Sequence, residues 1–137
     1  MDKLRIVYAT KTKHSRMLAE AIGRALHVQP ENAADKPAPC ETDTLFLVGG
    51  VYGGYSLPEM MAYVGTLDAG SVRQVVLVTT SASGTMRQLA VRRALVARGI
   101  PVAREIILYG SLFLLRLGHP NRADAGYAVD FARELAV

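Results

Sequence analysis

The chain has 137 residues, half of them hydrophobic, and a formal net charge of +4. That length and apolar content suit one domain, 1–137, whose core needs no disulfide or structural metal. No apolar run approaches the roughly 18 residues that span a bilayer, the opening stretch has no signal-peptide core, and the single cysteine, Cys40, cannot form an internal disulfide, so a reducing cytoplasmic setting without membrane contact is expected.

Strand and helix patterns alternate along the chain. Leu4–Ala9 reads as a first strand. Ser15 to Leu26 reads as a helix, with Met17, Leu18, Ala21, Ile22, Ala25 and Leu26 on one apolar stripe. His27 to Asp43 holds three prolines and several acids; its strand candidate lies around Val28 and Gln29, a short edge strand followed by a long loop. Leu45–Val48 is an uninterrupted apolar run ending at Gly49-Gly50, which suits a strand buried on both faces of a parallel sheet. A glycine-rich loop follows. Pro58 then opens a helix to about Leu67, where its missing N–H costs nothing. Val75–Val78 is a third buried run. Thr85 to Arg98 is helical, with Gly99 placed to stop it. Ile106–Tyr109 is the last strand, and Ala125 to Leu135 a closing helix bearing Ala128, Phe131, Ala132 and Leu135 on one face.

Charge is uneven along this pattern. From Glu31 to Asp68 there are six acids and one base, Lys36; from Arg87 onward there are eight arginines against four acids. Such a basic stretch raises the question of nucleic acid. Arg87, Arg92, Arg93 and Arg98, however, sit among apolar residues at helical spacing, as a solvated helix face does, and aromatic residues are sparse. No nucleic-acid partner is expected.

Parallel strands joined by right-handed helical crossovers give an α/β three-layer sandwich, and such sheets take ligands beyond the carboxyl ends of their strands. Three loops therefore carry the functional reading. The first is Thr10-Lys11-Thr12-Lys13-His14-Ser15, where three hydroxyls precede a helix whose first N–H groups lack partners. An anion such as phosphate suits that place, although a single hydroxyl there would only cap the helix. The second is Gly49-Gly50-Val51-Tyr52-Gly53-Gly54, and the third Thr79-Thr80-Ser81-Ala82-Ser83-Gly84.

In this order the three loops resemble those of the flavodoxin family. The family's phosphate loop reads Thr/Ser-x-Thr-Gly-x-Thr/Ser after strand one, and Thr10-x-Thr12-Lys13-x-Ser15 is similar, with Lys13 in place of the glycine. The second loop resembles the family's Gly-Ser-Pro-x-Tyr-x-Gly, with a glycine at the prolyl position. The third falls where the other flavin loop lies, without an aromatic residue. Gly118-His119-Pro120-Asn121-x-x-Asp124 is similar to the ending of a small flavodoxin-like subfamily, whose cysteine after the last strand is absent from Tyr109-Gly110-Ser111.

The resemblance implies a five-stranded parallel sheet of order 2-1-3-4-5 with a short second strand. It implies bound FMN, its phosphate held by Thr10, Lys11, Thr12, Lys13, His14 and Ser15, and its ring flanked by Val51, Tyr52, Gly53 and Gly54 on one side and Ser81, Ala82, Ser83 and Gly84 on the other. The function implied is electron transfer to a redox partner protein, a carrier more than a substrate-specific oxidoreductase. A flavin-free interaction module or subunit of the same fold, and a small FMN-dependent NAD(P)H:quinone-type reductase, are the alternatives. Tyr52 is the stacking candidate, with packing over the sheet end as the alternative, and Tyr55 the weaker one. His14 suits an exposed helix start better than a phosphate contact. Cys40 reads as incidental, and Met60 and Met61 as packing residues. Leu112 to Leu117 either continues the last strand into the core or forms an apolar contact surface.

Overall fold

The computed structural model describes residues 3–9, 11, 14–52, 55–81 and 88–109. In chain order these form β1 (Leu4–Ala9), α1 (His14–Leu26), β2 (Glu31–Asn32), β3 (Thr42–Tyr52), β4 (Tyr55–Ser56), α2 (Pro58–Val64), β5 (Val72–Ser81), α3 (Leu89–Ala97) and β6 (Val102–Tyr109). The five parallel strands lie in the order β2-β1-β3-β5-β6, and β4 pairs antiparallel with the end of β3. Setting β4 aside, this is the expected order 2-1-3-4-5 with a short second strand. The closing helix expected over 125–135 and the stretch 112–117 lie outside the described residues.

At their middles β3 and β5 have no exposed face. Leu45 to Val48 and Val75 to Val78 are fully buried, as uninterrupted apolar runs in a covered parallel sheet require. Side-chain alternation divides them. Val7, Leu45, Leu47, Val75 and Leu77 meet Met60, Tyr63 and Val64 of α2 and Val91 and Leu95 of α3. Ile6, Tyr8, Phe46, Val48, Val76 and Val78 meet Leu18, Ala19 and Ile22 of α1. The α1 stripe is thus rotated from the expected one: Ala19 is buried and Met17 is 41% exposed.

Helix ends follow local chemistry. Pro58 occupies the first turn of α2. After α3, Gly99 takes a φ of 76°, its N–H donates to Val96 O and the Ile100 N–H to Leu95 O. This left-handed closing turn satisfies two terminal carbonyls and buries Ile100. His27 does the same for α1, at φ 58°, with the Val28 N–H donating to Gly23 O at 2.9 Å. Val28 is therefore consumed in closing the helix. The edge strand expected around Val28 and Gln29 instead falls at Glu31–Asn32, which pairs with Val7 and Tyr8.

Two more expectations are corrected by the ladder. Gly49-Gly50-Val51-Tyr52 is not loop: β3 runs through it, with Gly49 opposite Ala9 and Thr79, and Gly50 opposite Thr80. Thr79-Thr80-Ser81 likewise belongs to β5. Backbone pairing carries both strands past the point where their apolar residues end.

Candidate functional site

The carboxyl ends of the strands are not level. β1 stops at Ala9, in register with Gly49. β3 continues through Gly50, Val51 and Tyr52, an overhang of about 10 Å at the rise of an extended strand. There the chain turns back as β4, with Tyr52 opposite Tyr55. The connections from β1 and β3 pass to opposite faces of the sheet, so the step between them is the switch point where such sheets open a crevice.

On the β1 side of this step lies the start of α1. Its first turn holds no acid, so no carboxylate of that turn opposes its N–H groups and dipole. Lys11 is exposed between β1 and α1. Ser15 is fully buried, and its hydroxyl lies 3.3 Å from that of Thr80, itself nearly buried. This contact ties the first turn of α1 to the end of β5. On the β3 side, Val51 is buried. The fold thus brings Lys11, His14 and Ser15 to one side of the step and Val51 and Tyr52 to the other, with Ser81 ending β5 beyond them. Thr10, Thr12, Lys13, Gly53, Gly54, Ala82, Ser83 and Gly84 lie outside the described residues, as do the side chains of His14, Tyr52, Tyr55 and Ser81.

Beneath β3 and β5, on the α2/α3 side, lies a polar cluster that the loop motifs did not indicate. Gln88, just before α3, is buried and extends its amide under the sheet. Its Nε2 donates to Thr79 Oγ1 at 3.0 Å and faces Val78 O at 3.3 Å and Leu47 O at 3.5 Å. Its Oε1 is buried with no partner among the described residues, as is Ser56 Oγ on β4. A Cβ on Gly49 would lie 2.9 Å from Gln88 Oε1 and 3.5 Å from Met60 Cε, so this glycine leaves room for the amide. Glu105, on β6, accepts from Thr79 Oγ1 at 2.9 Å and from the Gln88 backbone N–H at 3.0 Å, and pairs with Arg92 at 3.3 Å. Arg92, expected on a solvated helix face, is thus partly engaged. One sequence signal was present: Glu105 is the sole acid between Asp68 and Asp124.

Other features lie away from this end. An open groove of about 550 Å³ runs along the end of α1 and its exit, lined by Glu20, Arg24, His27 and Gln29 among others. Cys40 is exposed. Among the described residues no cluster of His, Cys, Asp or Glu fits a metal ion, and no helix is long and apolar enough to cross a membrane.

The fold is flavodoxin-like. Among solved structures, it is similar to oxidised flavodoxin 2 from Bacillus cereus, at a TM-score of 0.70 and 17% identity over 95% of this chain and 94% of that one. It is similar to a WrbA-like flavodoxin from Agrobacterium tumefaciens, at a TM-score of 0.69 and 13% identity over 99% and 96%. It also resembles an NADH:FMN oxidoreductase in its apo form, at a TM-score of 0.67 and 13% identity over 98% and 90%. No family model and no curated protein matches the sequence.

Proposed function

We propose that this chain binds FMN noncovalently across the carboxyl ends of β1, β3 and β5 and acts as an electron-transfer protein for a redox partner protein. The observation that carries this reading is the step at the switch point, where β3 overhangs β1 beside the acid-free start of α1. The residues present fit the group. The helix start offers N–H donors to a phosphate with no carboxylate in its own first turn to repel it. Gly50 adds no side chain of its own at the root of the overhang, and the three named flavodoxin-like neighbours supply precedent for flavin on this scaffold.

Thr10, Lys11, Thr12, Lys13, His14 and Ser15 would hold the phosphate by backbone and charge-assisted hydrogen bonds. Val51, Tyr52, Gly53 and Gly54 would line one side of the ring, and Ser81, Ala82, Ser83 and Gly84 the other. The flavin supplies the redox chemistry; the protein binds it, orients it and excludes water.

The test is a titration with FMN and with riboflavin, which lacks the phosphate. Each lost charge-assisted hydrogen bond costs about 1.5–3 kcal/mol, so FMN is expected to bind at least about 100-fold more tightly. Equal affinities would overturn the phosphate assignment. Failure to take up FMN would favour the flavin-free module, and steady nicotinamide-dependent turnover of a quinone would favour the reductase.

A further inference from the structure

One carboxylate gathers three donors from three places in the chain. Glu105 lies on β6 in register with Leu77, and its side chain is 5% exposed. Its Oε2 accepts the hydroxyl of Thr79, near the end of β5, and the backbone N–H of Gln88, at the start of α3; its Oε1 receives Arg92 from within α3. Thr79 in turn accepts from the Gln88 amide. That amide reaches across β5 toward Leu47 O on β3, and its oxygen stands against Gly49, where the overhang of β3 begins. A continuous polar path therefore runs from Glu105 through Gln88 to the root of the overhang.

We propose that Glu105 is a positioning residue for the candidate site. It acts through Gln88, fixing the end of β5 against the start of α3 and setting the amide that underlies Gly49. Its effect on ligand rests on the flavin reading; the clamp itself does not. A carboxylate suits the task because one oxygen takes two neutral donors while the other takes the guanidinium. Glutamine keeps an oxygen for Thr79 and Gln88 but turns an amino group toward Arg92. Alanine keeps neither acceptor.

The experiment compares wild type, Glu105→Gln and Glu105→Ala in two measurements. The first is amide hydrogen exchange at Gln88 in protein without added flavin. The second is FMN titration. In Glu105→Ala the Gln88 amide is expected to exchange at least about tenfold faster while Phe46 and Leu47 keep their wild-type rates, which a general loss of stability would not produce. FMN is expected to bind about tenfold more weakly. Glu105→Gln recovers most of both effects. Should Glu105→Ala not fold, Gln88→Leu replaces it: the backbone N–H at 88 stays protected, the amide under Gly49 is gone, and FMN again weakens about tenfold.

Unchanged exchange at Gln88, faster exchange in every strand alike, or equal FMN affinity in wild type and variant would overturn the proposal. A wild type that takes up no FMN would overturn the flavin reading instead, and exchange at Gln88 alone then decides the clamp.

Discussion

Two ion pairs stand on the α2/α3 side of the sheet, and they are built the opposite way round. At the β1–β2 edge the guanidinium is the enclosed member: Arg5 is 10% exposed and Glu31 37%. On the β5–β6 side the carboxylate is enclosed: Glu105 is 5% exposed and Arg92 36%. What separates them is the support left when the exposed partner is removed. Among the described residues the hydrogen bonds of Arg5 go to Glu31, through Nε at 2.5 Å and Nη2 at 3.0 Å. Beyond these it has the ring of Tyr63, 5.9 Å from its carbon. Glu105 keeps two further donors, Thr79 and Gln88. A buried charge is expensive in proportion to what is not hydrogen-bonded to it, so the first pair is brittle and the second is not.

The largest expected effect is therefore at the edge. Glu31→Ala leaves the Arg5 guanidinium enclosed without its hydrogen-bonding partner, and the protein is expected to lose about 3 kcal/mol of stability in denaturant unfolding. β2 spans two residues, so little else resists its release. A loss below about 1 kcal/mol would show that Arg5 reaches water when Glu31 is gone, and the contrast between the pairs would fail.

A second measure probes the same edge by pH. Tyr63 is buried, its hydroxyl has no partner among the described residues, and burial pushes its pKa up to about 12; Arg5 acts in the opposite sense and Glu31 adds to the rise. The ordinary value is about 10. The folded state thus holds the phenolic proton more tightly than the unfolded chain. The resulting stability is fully present below about pH 10 and is lost as pH rises toward about 12. Between those limits wild type is expected to lose about 2 kcal/mol that Tyr63→Phe does not lose. Arg5 adds nothing to this slope, because its bond to Glu31 raises its pKa further above an already high value. Parallel pH curves for wild type and variant would mean that the phenolate finds solvent.

The edge and the clamp were unequally visible in the sequence. β1 was legible to the residue, because Leu4–Ala9 is apolar apart from Arg5. β3 and β5 were legible only in their apolar centres. Thr42-Asp43-Thr44, Gly49 and Gly50 are strand because neighbouring strands continue beside them, as are Thr79 and Thr80, while Val51 and Tyr52 are strand because β4 folds back on them. The helix after Leu26 ends by a backbone closure at His27, a residue type with no stop signal of its own, which displaced the edge strand. At the candidate site the order of loops at the strand ends could be read. The Glu105 cluster could not, since Glu105 meets Thr79 from 26 residues away and Gln88 from 17. Only the register of β6 against β5 brings them together.

The smallest effect is the most discriminating. Arg92→Ala removes the exposed member of the clamp pair and leaves the Glu105 carboxylate enclosed with Thr79 and the Gln88 N–H still donating to it. Hydrogen bonds to a charged acceptor are worth about 1.5–3 kcal/mol each, so those two hold the carboxylate in place. Arg92 is 36% exposed and its described contact with Glu105 is long, at 3.3 Å, so solvent already screens it in part. The expected loss in denaturant unfolding is about 1 kcal/mol, roughly a third of that for Glu31→Ala. If Arg92→Ala instead costs as much as Glu31→Ala, the two neutral donors do not hold the carboxylate. The guanidinium would then be the true anchor of Glu105, and the two pairs would be alike.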